Sequence, residues 1–120
     1  MTDLPDVNVW LALVDENHAH HDAAVAYWRE QSSPDIAFCR VTSLAFLRLS
    51  THPKVLSRSL ANREAWDIYQ RYRNEEGVGF INDAPEVDVE FMVLSKDDNV
   101  PHCLWTDCYL AALARYRNCR

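Results

Sequence analysis

The chain has 120 residues, of which 48% are apolar and 25% are charged. This length suits one domain with a substantial core and is too short for two. Only two glycines occur, Gly77 and Gly79, where average usage would give about 8. A P-loop, a dinucleotide-binding turn and a hydrolase nucleophile elbow each need glycines at fixed offsets. We therefore exclude these three classes and expect a single domain over residues 1–120.

The net charge of −6 argues against a protein that binds nucleic acid through overall charge alone. The charges are divided into blocks, however. Residues 1–28 carry five acidic and no basic residues, residues 29–73 carry eight basic and four acidic residues, and residues 75–107 carry nine acidic residues and one lysine. If the fold brings the first and third blocks together, an acidic centre with basic flanks results. The alternative is solvated charge on unrelated faces.

The four cysteines, Cys39, Cys103, Cys108 and Cys119, follow no paired spacing, which indicates reduced thiols. The chain does not open with a charged and then apolar leader, and no apolar run approaches the eighteen or so residues that span a bilayer. We therefore expect a cytoplasmic protein that does not enter a membrane.

The apolar pattern predicts strands and helices in alternation. Strands are predicted over residues 4–8, 36–39 and 78–81, the second of them bounded by Ser32-Ser33-Pro34. Helices are predicted from Asp22 to about Gln31, from Thr42 to about His52, from Asn62 to before Gly77, from Val87 to about Leu94 and from Trp105 to Tyr116. Asp22 and Thr42 are the expected N-caps, and the last helix is expected to be covered on most faces. This alternation predicts an α/β fold with a mostly parallel sheet and helices on both sides.

Two carboxylates stand out against apolar surroundings. Asp6 shares a strand face with Asn8 and comes at the carboxyl end of the first predicted strand, where open parallel sheets bind ligands. It could instead cap the following helix. Asp107 lies in the first turn of the last helix, where the helix dipole favours negative charge with or without a function. Together the two would form a hard-oxygen site suited to Mg²⁺ or Mn²⁺.

A divalent ion between two carboxylates would suit nucleic-acid hydrolysis, because it can orient a phosphodiester and lower the pKa of a bound water. The basic middle of the chain would then hold the nucleic-acid backbone at the rim. The residues expected there are Arg40, Arg48, Lys54, Arg58 and Arg63. His18, His20 and His21 lack a partner at a recognised zinc spacing and are interpreted as the polar entry to a helix.

Four segments occur in a characteristic order: DVNVWLAL at 6–13, the histidines 18 and 21, VTSLAFLRL at 41–49, and WTDCYLAA at 105–112. This series resembles the PIN-domain ribonucleases, specifically the VapC toxins of VapBC toxin-antitoxin pairs. The resemblance implies a three-layer α/β/α domain, Mg²⁺- or Mn²⁺-dependent RNA cleavage, a VapB-type antitoxin as partner and a homodimer. It carries over Asp6 and Asp107 as catalytic metal ligands. Thr42 and Asn8 are carried over as supporting polar residues.

The sequence departs from this family at two points. The family places an acidic residue in the first turn after the threonine, whereas Ser43, Leu44 and Ala45 follow Thr42 here. The family also continues into a last strand that carries a further carboxylate, and this strand would begin just after Arg120. We therefore expect the domain to lack its last strand. The alternative to a metal-dependent endoribonuclease is a catalytically impaired PIN-like module that binds antitoxin or RNA without cleaving.

Overall fold

The computed structural model describes residues 1–31 and 35–120, so the predicted boundary at Ser32-Ser33-Pro34 lies outside the described residues. Helices dominate the described parts of the chain. The elements are α1 (Val7–Val14), α2 (His21–Ala26), β1 (Ile36–Cys39), α3 (Arg40–Ser50), α4 (Asn62–Asn74), β2 (Val78–Ile81), α5 (Val87–Ser95) and α6 (Trp105–Tyr116). A π-helical turn at Tyr27–Gln31 follows α2, and a 3₁₀ turn at His102–Leu104 precedes α6.

Strands β1 and β2 form a parallel pair, in which Ile36 lies opposite Val78 and Cys39 opposite Ile81. The predicted strands at 36–39 and 78–81 are therefore confirmed. Both are short apolar runs bounded by polar or turn-forming residues, which is the pattern that favours a buried strand.

The chain before α1 adds to the other side of β1. Asp3 makes a single parallel bridge to Ile36. On its far side the same segment meets Arg120, whose N–H donates to the Thr2 carbonyl (2.9 Å) and whose carbonyl accepts from the Leu4 N–H (2.8 Å). The extended segment 2–4 thus lies between β1 and Arg120.

The predicted strand over residues 4–8 is wrong, because α1 already begins at Val7. The Asp6 side chain accepts a hydrogen bond from the Val7 N–H (2.6 Å), which closes the start of the helix. The apolar run that follows has a helical period: Val7, Trp10, Leu11 and Val14 all contact one core. Burial of this stripe favours the helix over a strand.

Alternate side chains of β1 enter two separate cores, as a strand's period of two requires. Ile36 and Phe38 pack with residues of α1, α3 and α4, among them Trp10, Phe46 and Tyr69. Trp10 stacks on Phe38 with ring centroids 3.9 Å apart. Helices α1, α3 and α4 therefore form one layer beside the sheet.

Cys39 enters the second core together with Leu4, Val87 and Leu113. Helices α5 and α6 supply this layer, so helices cover both sides of a parallel sheet. The predicted α/β class is confirmed. The described cysteines are all free thiols, as their spacing indicated.

Both predicted N-caps are wrong. Helix α2 begins at His21 with His20 in the cap position, so Asp22 lies in its first turn. Helix α3 begins at Arg40 without a connecting loop, which places Thr42 inside the first turn. The Thr42 hydroxyl oxygen accepts a hydrogen bond from the Cys39 N–H (3.0 Å). Because β1 passes directly into α3, the acceptor for this backbone N–H is a side chain from the first turn of the helix itself.

The expectation that α6 is covered on most faces is also wrong. Its buried residues are Leu110, Ala112 and Leu113, whereas Trp105 keeps 54% of its surface exposed. The sheet and α5 cover only one side of this helix, so its first turn is open to solvent. Within residues 1–31 and 35–120, no helix has the length and apolar character needed to cross a membrane.

Asp15, buried just after α1, holds the loop between α3 and α4. Its carboxylate accepts hydrogen bonds from the Ser57 hydroxyl (2.6 Å), the Ser57 N–H (3.0 Å) and the Asn17 N–H (3.1 Å). These bonds, the Ser57 hydroxyl foremost, lower the pKa of Asp15 below its ordinary value. The ionised carboxylate therefore stabilises the fold above its unfolded-state pKa, and this stabilisation is lost as the pH falls through the native-state pKa.

We expect Asp15→Asn to lower the free energy of unfolding at pH 7 by about 1–3 kcal/mol, because bonds to a charged acceptor are replaced by bonds to a neutral one. The deficit should narrow as the pH falls below 3.8, the ordinary value for Asp, because the unfolded wild-type chain then binds a proton that the folded carboxylate, with its lowered pKa, does not. Urea unfolding at pH 7 and pH 3 measures both effects. Asp67→Asn, at an exposed position of α4, is the control. A deficit of equal size at both pH values would show that the charge of Asp15 is not its source.

Candidate active site

Asp6 lies where the first extended segment leaves the sheet. It is exposed and serves as the N-cap of α1. Its Oδ1 accepts from the Val7 N–H, and its Oδ2 accepts from the side-chain amide of Asn8 (3.2 Å). The expected pairing of Asp6 with Asn8 is therefore present, but it arises across a helix start instead of along a strand face. The two readings of Asp6, a helix cap and a site residue, are compatible, because each carboxylate oxygen keeps a free lone pair.

The direction of the sheet relates Asp6 to the ends of β1 and β2. Asp3 is bridged to Ile36 in parallel, so the segment 2–4 runs the same way as both strands. The chain therefore leaves the sheet at Asp6, Cys39 and Ile81 on one common edge, which we call the carboxyl edge. This is the edge at which open parallel sheets bind ligands.

Helix α6 carries Asp107 and packs beside the segment 2–4 and the end of β2. After the helix ends at Tyr116, Arg120 bonds to the segment 2–4, and the Arg117 guanidinium donates to the Asn82 carbonyl just after β2 (3.2 and 3.0 Å). With 12 residues, α6 is about 18 Å long, longer than a four-residue strand of about 13 Å. Leu110 and Leu113 of α6 share the core of Leu4, which keeps the helix on this segment. Asp107 is exposed in the first turn.

A third carboxylate at this edge was not singled out from the sequence. Asp83 follows β2 by two residues, and its Oδ1 accepts a hydrogen bond from the Tyr109 hydroxyl of α6 (2.7 Å). Burial, followed by the bond to Asp83, raises the pKa of Tyr109. This contact fastens α6 to the end of β2 two residues from Asp107. An acidic residue two positions after a predicted strand was the signal that could have found it.

The first turn of α3 contains two buried hydroxyl side chains in the region where the resemblance predicts an acidic residue. Thr42 and Ser43 are both buried. Ser43 shares a hydrogen bond with the Tyr69 hydroxyl (2.7 Å), and Thr42 closes the helix start. Thr42 therefore holds the junction of β1 and α3 and is buried, not presented to solvent.

The donors at this edge suit a hard divalent cation. Asp6 and Asp107 supply exposed carboxylate oxygens, the ligand type that Mg²⁺ and Mn²⁺ prefer. In the described ranges no group of three or more His, Cys, Asp or Glu side chains is arranged to hold a metal ion. Two protein carboxylates still fit Mg²⁺, which usually keeps several waters and takes one or two carboxylates.

The five predicted RNA contacts are all exposed and lie on α3, on the loop after it and at the start of α4. Lys54 and Arg58 lie on the loop between α3 and α4, and Arg63 lies at the start of α4, all exposed. Arg58 pairs with Glu64 (3.1 Å), and this bond lowers the pKa of the glutamate. Arg48 is exposed in the last turn of α3.

Arg40 is the predicted contact closest in the chain to the carboxyl edge, because it directly follows β1. Its guanidinium lies over the Phe80 ring, 4.8 Å from the centroid. Arg73, which the sequence did not single out, lies over the same ring at 5.2 Å. The guanidinium groups of Arg40 and Arg73 over this ring form a basic margin of β2 beside the carboxyl edge.

A buried network at the start of the chain was also missed. Asp3 is 6% exposed. It accepts hydrogen bonds from the Tyr27 hydroxyl (2.5 Å) and from Arg120 Nε (2.8 Å). Burial and the bond to Asp3 raise the pKa of Tyr27. This carboxylate joins three distant parts of the chain and has a structural role.

The profile of the PIN domain matches residues 4–120. The chain belongs to the PIN domain family. Ribonuclease VapC41 of Mycobacterium tuberculosis is 33% identical to it over 117 residues, which cover 92% of this chain and 80% of that protein. Ribonuclease VapC39 of the same organism is 34% identical over 95% of this chain and 81% of its own length.

The fold of this PIN domain also resembles a solved structure. Mycobacterium tuberculosis VapC20, described as a sarcin-ricin loop cleaving toxin, superposes with a TM-score of 0.75 over 99% of this chain and 85% of that one, at 13% sequence identity. At this identity the likeness shows the fold alone. It confirms the PIN-like architecture that the resemblance implied.

Proposed function

We propose that this PIN domain is an endoribonuclease toxin of a toxin-antitoxin pair, which hydrolyses RNA phosphodiester bonds with a divalent metal ion. The observation that carries the proposal is the hydrogen bond from Tyr109 to Asp83, because it ties α6, two residues from Asp107, to the carboxyl edge that holds Asp6. The ribonucleases to which the chain is similar supply the reaction class. Since the substrate is cellular RNA, we expect the protein to act in the cytoplasm.

In the proposed reaction, Asp6 and Asp107 hold Mg²⁺ or Mn²⁺. When bound, such an ion lowers the pKa of a coordinated water and stabilises charge on the phosphate. Asn8 positions Asp6 by donating to its Oδ2, much as outer hydrogen-bond partners orient metal ligands elsewhere. Thr42 keeps the start of α3 in place. Arg40, held over Phe80, is suited to contact a backbone phosphate of the RNA.

The site test uses the isosteric variants Asp6→Asn and Asp107→Asn. Each should reduce Mn²⁺-stimulated cleavage of RNA by more than about 100-fold, the upper end of the loss for an outer-shell partner, because a neutral amide binds the metal poorly. EDTA should abolish cleavage, and added Mn²⁺ should restore it. Asp97→Asn, on an exposed loop, is the matched control and should retain wild-type activity.

Full-rate cleavage by either active-site variant, in preparations free of contaminating nucleases, would contradict the proposed site. The second candidate function is a module that binds antitoxin or RNA without cleaving. The burial of Ser43 in a region where the family has an acidic residue favours it. RNA binding by the wild-type chain without any Mn²⁺-dependent cleavage would support that alternative.

We also propose a VapB-type antitoxin as the inhibitory partner and a homodimer as the working assembly. The support for the dimer is an apolar face on α5 that the described residues leave uncovered. Val89, Met92 and Val93 are 73%, 61% and 60% exposed. Contiguous exposed apolar surface of this kind marks an interaction site more often than isolated residues do.

We expect Met92→Lys to convert the dimer to a monomer, because a charged amine would be buried at the interface without a partner. Sedimentation equilibrium of wild-type and variant measures the change. Val55→Lys, on the loop between α3 and α4 at 40% exposure, is the control and should remain dimeric. A Met92→Lys protein that sediments like the wild type would place the interface elsewhere.

A further inference from the structure

A cleft of about 350 Å³ opens between α1 and the start of α2. Val9 and Ala12 of α1 and Ala23 and Ala24 of α2 line it. Three of these four residues are alanines, so the cleft exists because small side chains leave the space between the two helices unfilled. Its volume is at the lower end of the range for small-molecule pockets, about 300–1,000 Å³.

Three histidines next to one another in the sequence have different roles at this cleft. His21 Nδ1 donates to the Ala12 carbonyl (2.7 Å), which ties the start of α2 to α1. His18 and His20 line the cleft instead, with ring centroids 5.7 Å apart. His18 Nδ1 accepts from the His20 N–H (3.0 Å), so the neutral His18 ring carries its proton on Nε2. The cleft is therefore bordered by the imidazole of His18, whose tautomer is defined, and by the imidazole of His20, which is exposed.

The cleft is continuous with the carboxyl edge through Asn8. This residue lines the cleft, and its amide donates to Asp6 Oδ2. A ligand in the cleft would thus lie one side chain away from a proposed metal ligand.

The charge of the cleft indicates which part of an RNA it suits. None of its lining residues is a lysine or arginine, and residues 1–28 contain neither. A phosphate group would find no fixed positive charge there. Aromatic rings on an apolar floor, with hydrogen-bonding groups at the border, suit a flat nucleobase with polar edges.

We propose that this cleft binds one base of the RNA substrate beside the scissile phosphate and that His18 and His20 contribute to sequence preference. The proposal rests on the proposed ribonuclease function, since it assigns the cleft to the same substrate. The imidazoles stack on or hydrogen-bond to the base, Asn8 borders both the base and Asp6, and the alanines provide the space.

A binding experiment tests the cleft independently of cleavage. The four nucleoside 5′-monophosphates and ribose 5-phosphate are titrated separately into the protein, and the imidazole signals are followed by NMR. At least one nucleotide should shift the His18 and His20 signals, whereas ribose 5-phosphate should not. Ala23→Leu, which fills the cleft from an exposed helix position, should weaken that nucleotide's binding at least about tenfold, as expected for the loss of one stacked base.

His20→Ala provides a second variant at an exposed position, in case Ala23→Leu alters folding as judged by circular dichroism. His52→Ala is the matched control, because His52 Nδ1 accepts from the Lys54 N–H (3.1 Å) in the same local arrangement as His18 and His20 but outside the cleft. The His52 signals should not respond to nucleotides, and His52→Ala should bind like the wild type.

Cleavage of a random-sequence RNA pool, with sequencing of the product ends, separates this proposal from the general function. The wild type and His52→Ala should show a base preference at one position next to the cut. Ala23→Leu and His20→Ala should still cleave the pool but lose that preference. Asp6→Asn should lose cleavage while retaining the nucleotide-induced shifts.

Either of two results would overturn the proposal. One is equal binding of ribose 5-phosphate and the nucleotides, which would show that the cleft recognises phosphate. The other is the absence of imidazole shifts at saturating nucleotide together with an unchanged base preference in both cleft variants. If the wild type does not cleave RNA but nucleotides still shift the His18 and His20 signals, the result would contradict the ribonuclease function and not the base-binding cleft.

Discussion

The structure depends on the burial of one four-residue strand. Each residue of β1 is buried, and the Phe38 ring stacks on Trp10 on one side of the sheet while Cys39 packs with Leu113 on the other. Because the interior is closely packed, the positions of α1, α3 and α6 all follow from how their side chains fit this strand.

The same strand also sets the chemistry. A parallel sheet sends the ends of its strands to one edge, and here polar groups follow each end: Asp6 after the segment 2–4, Arg40 after β1 and Asp83 after β2. We propose that helix α6, which Tyr109 ties to Asp83, brings Asp107 to this edge. Asp6 and Asp83, from the first and third charge blocks, follow the strand ends beside a basic margin, although the net charge is −6. A divalent ion would neutralise these carboxylates and so allow an anionic substrate to bind next to them.

Much of the fold could be predicted because periodicity and burial agree locally. The strands at 36–39 and 78–81 and helices α4, α5 and α6 lie where their apolar patterns indicated. The predictions are wrong where contacts between distant segments determine the local structure. The run after Pro5 could pair as a strand or pack as a helix, and its contacts with the core around Phe38 favour the helix. The bonds of Asp3 to Tyr27 and Arg120 join residues far apart in sequence, so no local pattern signals them. Asp6 and Asp107 stood out as carboxylates in apolar surroundings and also fall within the motifs of the resemblance, whereas Asp83 lies outside every quoted motif.

The central claim is that Asp6 and Asp107 bind one metal ion together at the carboxyl edge. Crystals of the wild-type chain soaked in Mn²⁺ test it directly through anomalous scattering at the manganese edge. We expect one strong peak at the carboxyl edge, coordinated by a carboxylate oxygen of each aspartate at about 2.1 Å, with waters in the remaining positions. A peak that contacts only one of the two aspartates at saturating Mn²⁺, or a peak elsewhere with this edge empty, would contradict the claim.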